Sequence, residues 1–415
     1  MSTTSQAGAA AKAPAPPTPI PLPPGFPEGQ NPFTYQIEKV AELLKRAAVV
    51  GGGVTALGLL EIEPALGAGR DKVRWISPRG TLDVMDDFNL WVPITLGYFK
   101  RLGLDVTLAP GDASGNLAQV AAGQEDMGYP SPGVLTSSID AGIPVLSVWE
   151  QYPAQVFDFV LPAKSTITSP KQLGGKSIAV DTIAWKSIVD PMLAEVGVNP
   201  KTVKYREFGP AWVQAVAQGQ ADAGLVWEGL RAQLIGQSST FGSAFALKFL
   251  VGSKWGSKGP SNTYVVRKAD LSNPKKVDIY TRFLAGSVYG SEFARANPRA
   301  AAQITYGARA ALQQLISAQV ALVSMMQLAS GYSVFRRNPP HLYGWHDTAA
   351  WTRYLNAISK LGQTKQHLTA AGVLTNSLVR AANKRADIAG ARRAAKSYKL
   401  NSIFANTKVP PGYPL

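Results

Sequence analysis

Residues 97–108 constrain the fold of this 415-residue chain more than any other stretch. Before Gly103, apolar residues between 88 and 99 recur at close to helical spacing, and a glycine readily adopts the left-handed conformation that ends a helix. After it, apolar and polar residues alternate, which predicts a half-buried strand. A further strand is predicted at Val73–Ser77. The order strand, loop, helix, strand predicts a right-handed βαβ unit of an open parallel sheet.

The loop Pro78–Asp87 joins the first predicted strand to the first predicted helix. It therefore lies at the carboxyl edge of the sheet, where open α/β folds bind their ligands. We expect the ligand site at this edge and expect the segments that follow to close it.

The alternation of strand and helix recurs further along the chain. Strands are predicted at 177–180, 203–205 and 221–226, each followed by a helix, which indicates a second doubly wound lobe. The strand Val156–Leu161 leads out of the first lobe, and Thr263–Val266 returns to it. The predicted organisation is an extension at 1–30, an export region at 31–69, the first part of lobe one at 72–161, lobe two at 164–258, and a return to lobe one with C-terminal helices at 263–415.

The composition excludes several classes of chemistry. The chain has no cysteine, so disulfides, thiolate metal sites and cysteine nucleophiles are excluded. Its three histidines cannot form a His-rich metal cluster, and we interpret His341 and His346 as loop residues rather than ligands. No Ser/His/Asp order, metal-ligand spacing or phosphate loop stands out in the sequence. We therefore expect no catalytic residues, no metal and no cofactor.

The formal charge of +15 raises the question of an acidic partner. The basic residues are scattered, except between Arg380 and Lys399, where they are spaced by alanines. This spacing favours a solvated helix face over a nucleic-acid patch, so no nucleic-acid partner is expected.

The N-terminal residues predict a targeting signal rather than a folded segment. Residues 1–30 are rich in Ala, Pro and Thr and should be disordered. Lys45-Arg46 then precedes the mildly apolar run Ala47–Leu60 and a stretch of small residues, which is typical of an export signal. It resembles a twin-arginine-type signal with Lys45 in place of the first arginine. The alternative is an N-terminal helix that is not cleaved.

Four phrases in order carry a resemblance to a known family. They are Gly97 to Val106 (GYFKRLGLDV), Ala121 to Gly128 (AAGQEDMG), Ser169 to Val180 (SPKQLGGKSIAV) and Gly219 to Gly224 (GQADAG). Together they resemble the substrate-binding proteins of nitrate/sulfonate/taurine-type ABC importers, in particular the group similar to thiamine-pyrimidine-precursor binders. The match covers residues 72 to 265, and the C-terminal helices resemble those of the same group.

The resemblance implies an α/β chain of the type II periplasmic binding protein fold, with two doubly wound lobes joined by two crossing strands and a helical C-terminal extension. It implies a monomeric receptor in the periplasm that closes over a small solute and delivers it to an ABC permease in the inner membrane. Two alternatives remain: a pyrimidine-synthesising enzyme of the same fold, and a ligand-sensing module. The related enzymes carry a Cys-rich motif, which this chain lacks.

In the first lobe, the loop after the first strand offers three carboxylates, Asp83, Asp86 and Asp87. They would pair an amine or amidinium in a desolvated cleft, or they are surface charges at a helix N-terminus. The same edge presents Trp91, Tyr129, Ser131 and Trp149. For Trp91 the alternative is a place in the core, and for Tyr129 it is a buried tyrosine bonded to backbone.

In the second lobe, the residues expected at the opposite wall are Thr182, Trp185, Ser187, Trp227 and Glu228. The alternative for Trp227 is packing between the lobes. Four tryptophans across the two walls favour an aromatic, heteroaromatic or nitrogen-containing organic solute over a small inorganic anion, which would need a compact nest of donors.

The export signal gives the first test. N-terminal sequencing of periplasmic material should begin near residues 68 to 71, because the basic pair, apolar run and small-residue site end there. An intact Met1 form in the cytoplasm would contradict the assignment.

Overall fold

The computed structural model describes residues 69–111, 115–153, 155–181, 183–241, 247–335 and 340–409, and it contains two five-stranded mixed sheets with flanking helices. The predicted extension and the export region up to residue 68 lie outside the described residues. Among the helices of the described ranges, none is long and apolar enough to cross a membrane.

The first sheet has the strand order β2-β1-β3-β10-β4. Strand β1 is parallel to β2 and β3, with Val73 opposite Val106, which confirms the parallel pair predicted from the sequence. The returning strand β10 is inserted between β3 and β4 and is antiparallel to both. The strands are β1 Asp71–Ile76, β2 Leu104–Ala109, β3 Met127–Gly128, β4 Val145–Glu150 and β10 Thr263–Arg267.

The helix predicted between residues 88 and 99 is two helices. Gly97 adopts φ 66°, a left-handed conformation that ends the first helix and starts the next. Gly103 has φ 72°, so it ends the second helix as predicted. The helices of this first lobe are α1 Phe88–Thr95, α2 Tyr98–Arg101, α3 Asn116–Ala121 and α4 Pro132–Asp140.

The second sheet has the order β7-β6-β8-β5-β9 and confirms a second doubly wound lobe. The strand β9 was not predicted, because its four residues show no clear apolar period. The strands are β5 Phe157–Pro162, β6 Ser177–Val180, β7 Lys204–Glu207, β8 Ala223–Trp227 and β9 Leu247–Leu250. The helices are α5 Lys186–Glu195, α6 Trp212–Ala217 and α7 Glu228–Phe241, with the short α8 Gly252–Trp255 following β9.

The crossings between the lobes lie beside the strands predicted for them rather than within them. Strand β5 pairs with β8 and β9 in the second sheet, and β10 pairs with β3 and β4 in the first. The chain therefore crosses between β4 and β5 and again between β9 and β10. Ser261 ties the two crossings, because its Oγ donates to Tyr152 O at 2.9 Å and accepts from Tyr152 N at 3.1 Å. We call these two connecting segments the hinge.

The C-terminal part of the described chain is helical, as predicted. Helix α9 crosses the core, and its middle turns, including Phe283, Leu284 and Val288, are fully buried. Helix α9 packs on α1 of the first lobe, whereas α12 packs on α7 and α13 packs on α5 of the second, so this region contacts both lobes. The helices are α9 Pro274–Ala296, α10 Pro298–Gly307, α11 Ala310–Leu315, α12 Ala318–Phe335, α13 Thr348–Lys360, α14 Ala370–Val373, α15 Val379–Arg385, α16 Ile388–Ser397 and α17 Ser402–Asn406.

The basic segment predicted as a helix face forms α15 and α16. Its alanines Ala391 and Ala395 are fully buried. Two of its cations pair with carboxylates of α9: Arg385 with Asp278 at 2.6 Å and Arg392 with Glu292 at 2.5 Å. The cluster thus attaches two helices to the core.

Candidate solute-binding site

The two lobes meet where the loops after β1 and β8 face each other. The indole N–H of Trp227, at the end of β8, donates to Asp86 Oδ2 at 3.1 Å. A Cβ added at Gly229 would lie 1.3 Å from Asp86 Oδ1, so the absence of a side chain there makes room for the carboxylate. The structure therefore brings together Asp86 and Trp227, predicted for opposite walls, in direct contact.

A second close approach joins the starts of α4 and α5. A Cβ at Gly133 would lie 2.2 Å from Ser187 Oγ, so the hydroxyl of Ser187 sits against the backbone of the first lobe. Ser131 caps α4, with its Oγ accepting from Val134 N at 3.4 Å. The predicted serines thus lie near the interface, one as a helix cap and the other in a cross-lobe contact.

The three aspartates of the first loop are all engaged by cations of the chain itself. Arg79 Nη2 contacts both carboxylate oxygens of Asp87 at 2.6 Å, and its Nη1 lies 4.0 Å from Asp86 Oδ2. Asp83 accepts from Arg309 Nε at 2.8 Å and from Thr81 Oγ1 at 2.9 Å. The side chain of Asp87 is only 2% exposed, so it is not a surface charge. An external amine would have to displace an arginine from these carboxylates.

The buried ion group shifts the acidity of its members. Burial raises the pKa of Asp86, and the neighbouring Asp87 raises it further, although Arg79 opposes both. For Arg79, burial lowers the pKa, but Asp87 and Asp86 outweigh this effect, and the pKa lies above its usual range. Arg79 is therefore a permanent cation at this site. Its Nε is buried and has no hydrogen-bond partner in the described part of the chain.

A second buried donor without a partner in the described ranges is the indole N–H of Trp91. The Trp91 side chain is half-buried and packs against the core. Other buried donors of the described ranges, such as the indole N–H groups of Trp75 and Trp255, also have no partner, so this feature alone does not mark Trp91 as a ligand contact.

Tyr129 lies in an aromatic group of the first lobe. Its ring centroid is 5.8 Å from Trp75 and 5.1 Å from Tyr264, and it is only 6% exposed. Trp149 is 2% exposed, with the backbone of Gly344 against its indole. Trp149 is therefore a core residue rather than an open wall of the cleft, because the C-terminal region covers it.

Three tryptophans cluster in the second lobe. Trp185 meets Trp212 and Trp227 edge to face at 5.2 Å and 6.3 Å, while Trp212 and Trp227 are stacked at 6.3 Å. Trp212 was not predicted as a site residue. It is anchored because its indole N–H donates to Leu225 O at 2.8 Å. Trp185 and Trp227 are half-buried and lie at this cluster, and the predicted Thr182 lies outside the described residues.

Glu228 belongs to an ion network at the start of α7. Arg231 donates to Glu228 at 2.8 Å, to Asp158 at 2.6 Å and to Gln327 of α12 at 2.8 Å. The network links the second lobe to the C-terminal helices. Burial raises the pKa of Glu228 to about 6, with Arg231 lowering it and Asp158 raising it.

One polar arrangement was missed from the sequence. Ser147 Oγ lies 2.7 Å from His346 Nε2, and His346 Nδ1 lies 2.9 Å from Asn376 Oδ1. The order resembles a nucleophile with its base and orienting group. Ser147 and His346 are fully buried, however, and burial lowers the pKa of His346 to about 4. No substrate reaches the hydroxyl in this arrangement, so the three residues fasten the C-terminal loop to β4. Within the described ranges, no group of three His, Asp or Glu residues is placed to hold a metal.

Comparison with known proteins decides the family. The model of the NMT1/THI5-like family matches residues 88–301, about half of the chain. The chain belongs to the NMT1/THI5-like family. This match includes the loops after β3, β6 and β8 and the tryptophan cluster. No curated protein matches the sequence.

Solved structures agree on the fold of this NMT1/THI5-like protein. A Bordetella bronchiseptica RB50 protein is 18% identical with a TM-score of 0.56, covering 76% of this chain and 98% of its own. The alkanesulfonate-binding protein SsuA from Xanthomonas axonopodis pv. citri, bound to MOPS, is 14% identical with a TM-score of 0.54, covering 75% and 99%. The ligand-binding component of an ABC-type import system from Staphylococcus aureus, with zinc bound, is 12% identical with a TM-score of 0.53, covering 77% and 100%. The fold is that of type II periplasmic binding proteins.

The raised pKa of Glu228 predicts a pH dependence of stability. A carboxyl group whose pKa rises on folding from 4.5 to about 6 stabilises the fold most below pH 4.5, and this contribution is lost as the pH rises through 6. Glu228→Gln removes the titration. We expect it to reduce the fall in unfolding free energy between pH 4.5 and pH 7 by about 1–2 kcal/mol.

Urea unfolding of both proteins across this pH range measures the difference. Parallel profiles for the parent and Glu228→Gln would show that Glu228 does not titrate with a raised pKa.

Proposed function

We propose that this protein is the solute-binding receptor of an ABC importer, acting as a monomer in the periplasm. The observation that carries the proposal is the meeting of the two lobes at Asp86 and Trp227, with Arg79 and three tryptophans beside the contact. Two lobes on a two-segment hinge close around a ligand by rotation. In this proposal the closed receptor delivers its solute to a permease in the inner membrane.

The solute class follows from the side chains at the closure. The tryptophan cluster provides flat apolar faces, which bind aromatic and heteroaromatic rings. Arg79 Nε, in the ion group beside this contact, has no partner in the described ranges and can donate to an acceptor atom. We therefore propose a small aromatic or heteroaromatic solute with a ring nitrogen or oxygen atom that accepts from this donor. The aspartates act by holding Arg79 and Arg309 rather than by binding a free amine.

The structurally similar alkanesulfonate-binding protein is only 14% identical to this chain, so the similarity supports the fold and not the solute. The proposed solute class therefore rests on the residues of this chain. The pyrimidine-synthesising alternative depends on a Cys-rich motif in the related enzymes. This chain has no cysteine, which supports a receptor rather than that enzyme.

Native mass spectrometry of the protein purified from its periplasmic fraction tests the proposal. The parent should carry a small molecule that is lost on denaturation, because a closed site with desolvated donors retains its ligand. Trp185→Ala should lose most of this bound mass, since it removes one face of the tryptophan cluster.

Trp345→Ala is the matched control, because Trp345 lies outside the cluster, beside Arg380 at 5.2 Å. It should retain the bound mass. A parent protein without any small molecule, or equal loading of Trp185→Ala and the parent, would contradict the proposed site.

A further inference from the structure

A cavity of about 470 Å³ lies beside the hinge, away from the contact between Asp86 and Trp227. Helix α5 of the second lobe forms one wall and the C-terminal helix α13 the other. The crossing segments supply the base, through Gln155 and the stretch from Ser257 to Pro260. A cavity of this volume falls within the usual range for small-molecule sites.

The two walls are regular helix faces. On α5 the lining residues include Ile188, Pro191 and Met192, which follow the i, i+3, i+4 spacing of one face. On α13 they include Arg353, Ala357 and Lys360, again on one face and spanning two turns. The two helices contact each other, and beside that contact these two faces line the cavity.

The interior and the rim differ in chemistry. The α5 wall is apolar over Ile188, Pro191 and Met192, whereas Arg353, Lys258 and Lys360 bring positive charge to the rim. Within the ranges that the structure describes, none of these three cations forms an ion pair. The one carboxylate of the lining, Glu195, accepts from Ser257 Oγ at 2.7 Å and from Lys258 N at 2.6 Å, so it is already engaged.

The cavity is bounded by segments that belong to different parts of the molecule. Across its edge, Tyr354 OH of α13 donates to Ser187 O of α5 at 3.3 Å, and Gln363 Nε2 donates to Asp190 Oδ2 at 3.0 Å. Helix α13 also packs against the first-lobe core through Trp351 and Leu355. A molecule in this cavity would therefore contact the second lobe, the hinge and the helix that is fixed to the first lobe.

We propose that this cavity is a second small-molecule site, which binds a single-chain amphipathic anion. The apolar chain lies between α5 and α13, and the anionic head lies at the rim beside Arg353 and Lys360. The lining selects the class: the apolar α5 wall favours a hydrocarbon body, and three unpaired cations favour an anion over a neutral or cationic head. The site is separate from the tryptophan cluster and does not depend on which solute the cleft holds.

Calorimetric titration of the full-length protein with sodium decanoate tests the proposal. The parent should bind one decanoate saturably, whereas dodecyltrimethylammonium, with a similar chain and the opposite charge, should not bind saturably. The double variant Arg353→Glu/Lys360→Glu should bind decanoate at least about tenfold more weakly than the parent, because the head then faces two carboxylates. Arg393→Glu changes an exposed cation of α16 and should bind as the parent does.

Two further variants separate this site from the cleft. Ala357→Trp fills the cavity and should abolish decanoate binding with an unchanged circular dichroism spectrum. Trp185→Ala should bind decanoate as the parent does, so a failure of the cleft proposal would leave this result unaffected. Equal decanoate affinity in the parent and the double charge variant, equal binding of the cationic probe, or binding only to phosphatidylglycerol vesicles would overturn the proposal.

Discussion

The arrangement of the two lobes depends on a buried ion group that sits at their contact. Arg79 neutralises Asp87 and faces Asp86, and Asp86 in turn accepts the indole N–H of Trp227 from the other lobe. Burying charges costs desolvation energy, and removing one member of such a group leaves an uncompensated charge, which typically costs about 3–5 kcal/mol. The first loop is therefore fixed by its own electrostatics before any solute enters, and this fixed loop presents Asp86 to the second lobe.

The C-terminal helices stabilise the contact between the lobes. Arg231 at the start of α7 binds Gln327 of α12, and α12 also packs on α9. Helix α13 lies against α5 of the second lobe and also packs on the first-lobe core. The buried Ser147 and His346, together with the half-buried Asn376, fasten the loop before α13 to β4. At the hinge, Glu150 accepts from Ser261 N and from Trp351 Nε1, which ties a crossing segment to α13. The C-terminal helices therefore form a third layer that contacts both lobes.

Local patterns predicted what is local. Alternation at residues 104–108 and the glycine before it located β2 and its parallel partner, and the loops after β1, β3, β6 and β8 were correctly placed at strand ends. The break in the helix at Gly97 was not predicted, because it depends on the left-handed backbone conformation of this glycine, which residue spacing does not reveal. Strand β9 was missed because pairing with β5, and not periodicity, makes it a strand.

Pairings between distant residues could not be predicted. The partner of Asp83 is Arg309, far along the chain, and Trp212 joins Trp185 only because α6 folds against β6 and β8. The three aspartates suggested an amine site from their charge alone, since nothing in the sequence showed that arginines already occupy them. Trp149 was predicted at the cleft wall for the same reason: Gly344, whose backbone covers its indole, lies almost two hundred residues later in the chain.

The central claim is that the lobes are held together by Asp86 seated against Gly229 and bonded to Trp227. The chain has no cysteine, so Lys100→Cys in the first lobe and Lys171→Cys in the second accept spin labels specifically. Double electron–electron resonance should give a narrow distribution of distances between the two labels in this double-cysteine protein. After Gly229→Ala the distribution should be broader and its mean distance longer. Gly307→Ala, at a glycine with open space around it, should leave the distribution narrow. Identical distributions for Gly229→Ala and Gly307→Ala would contradict the claim.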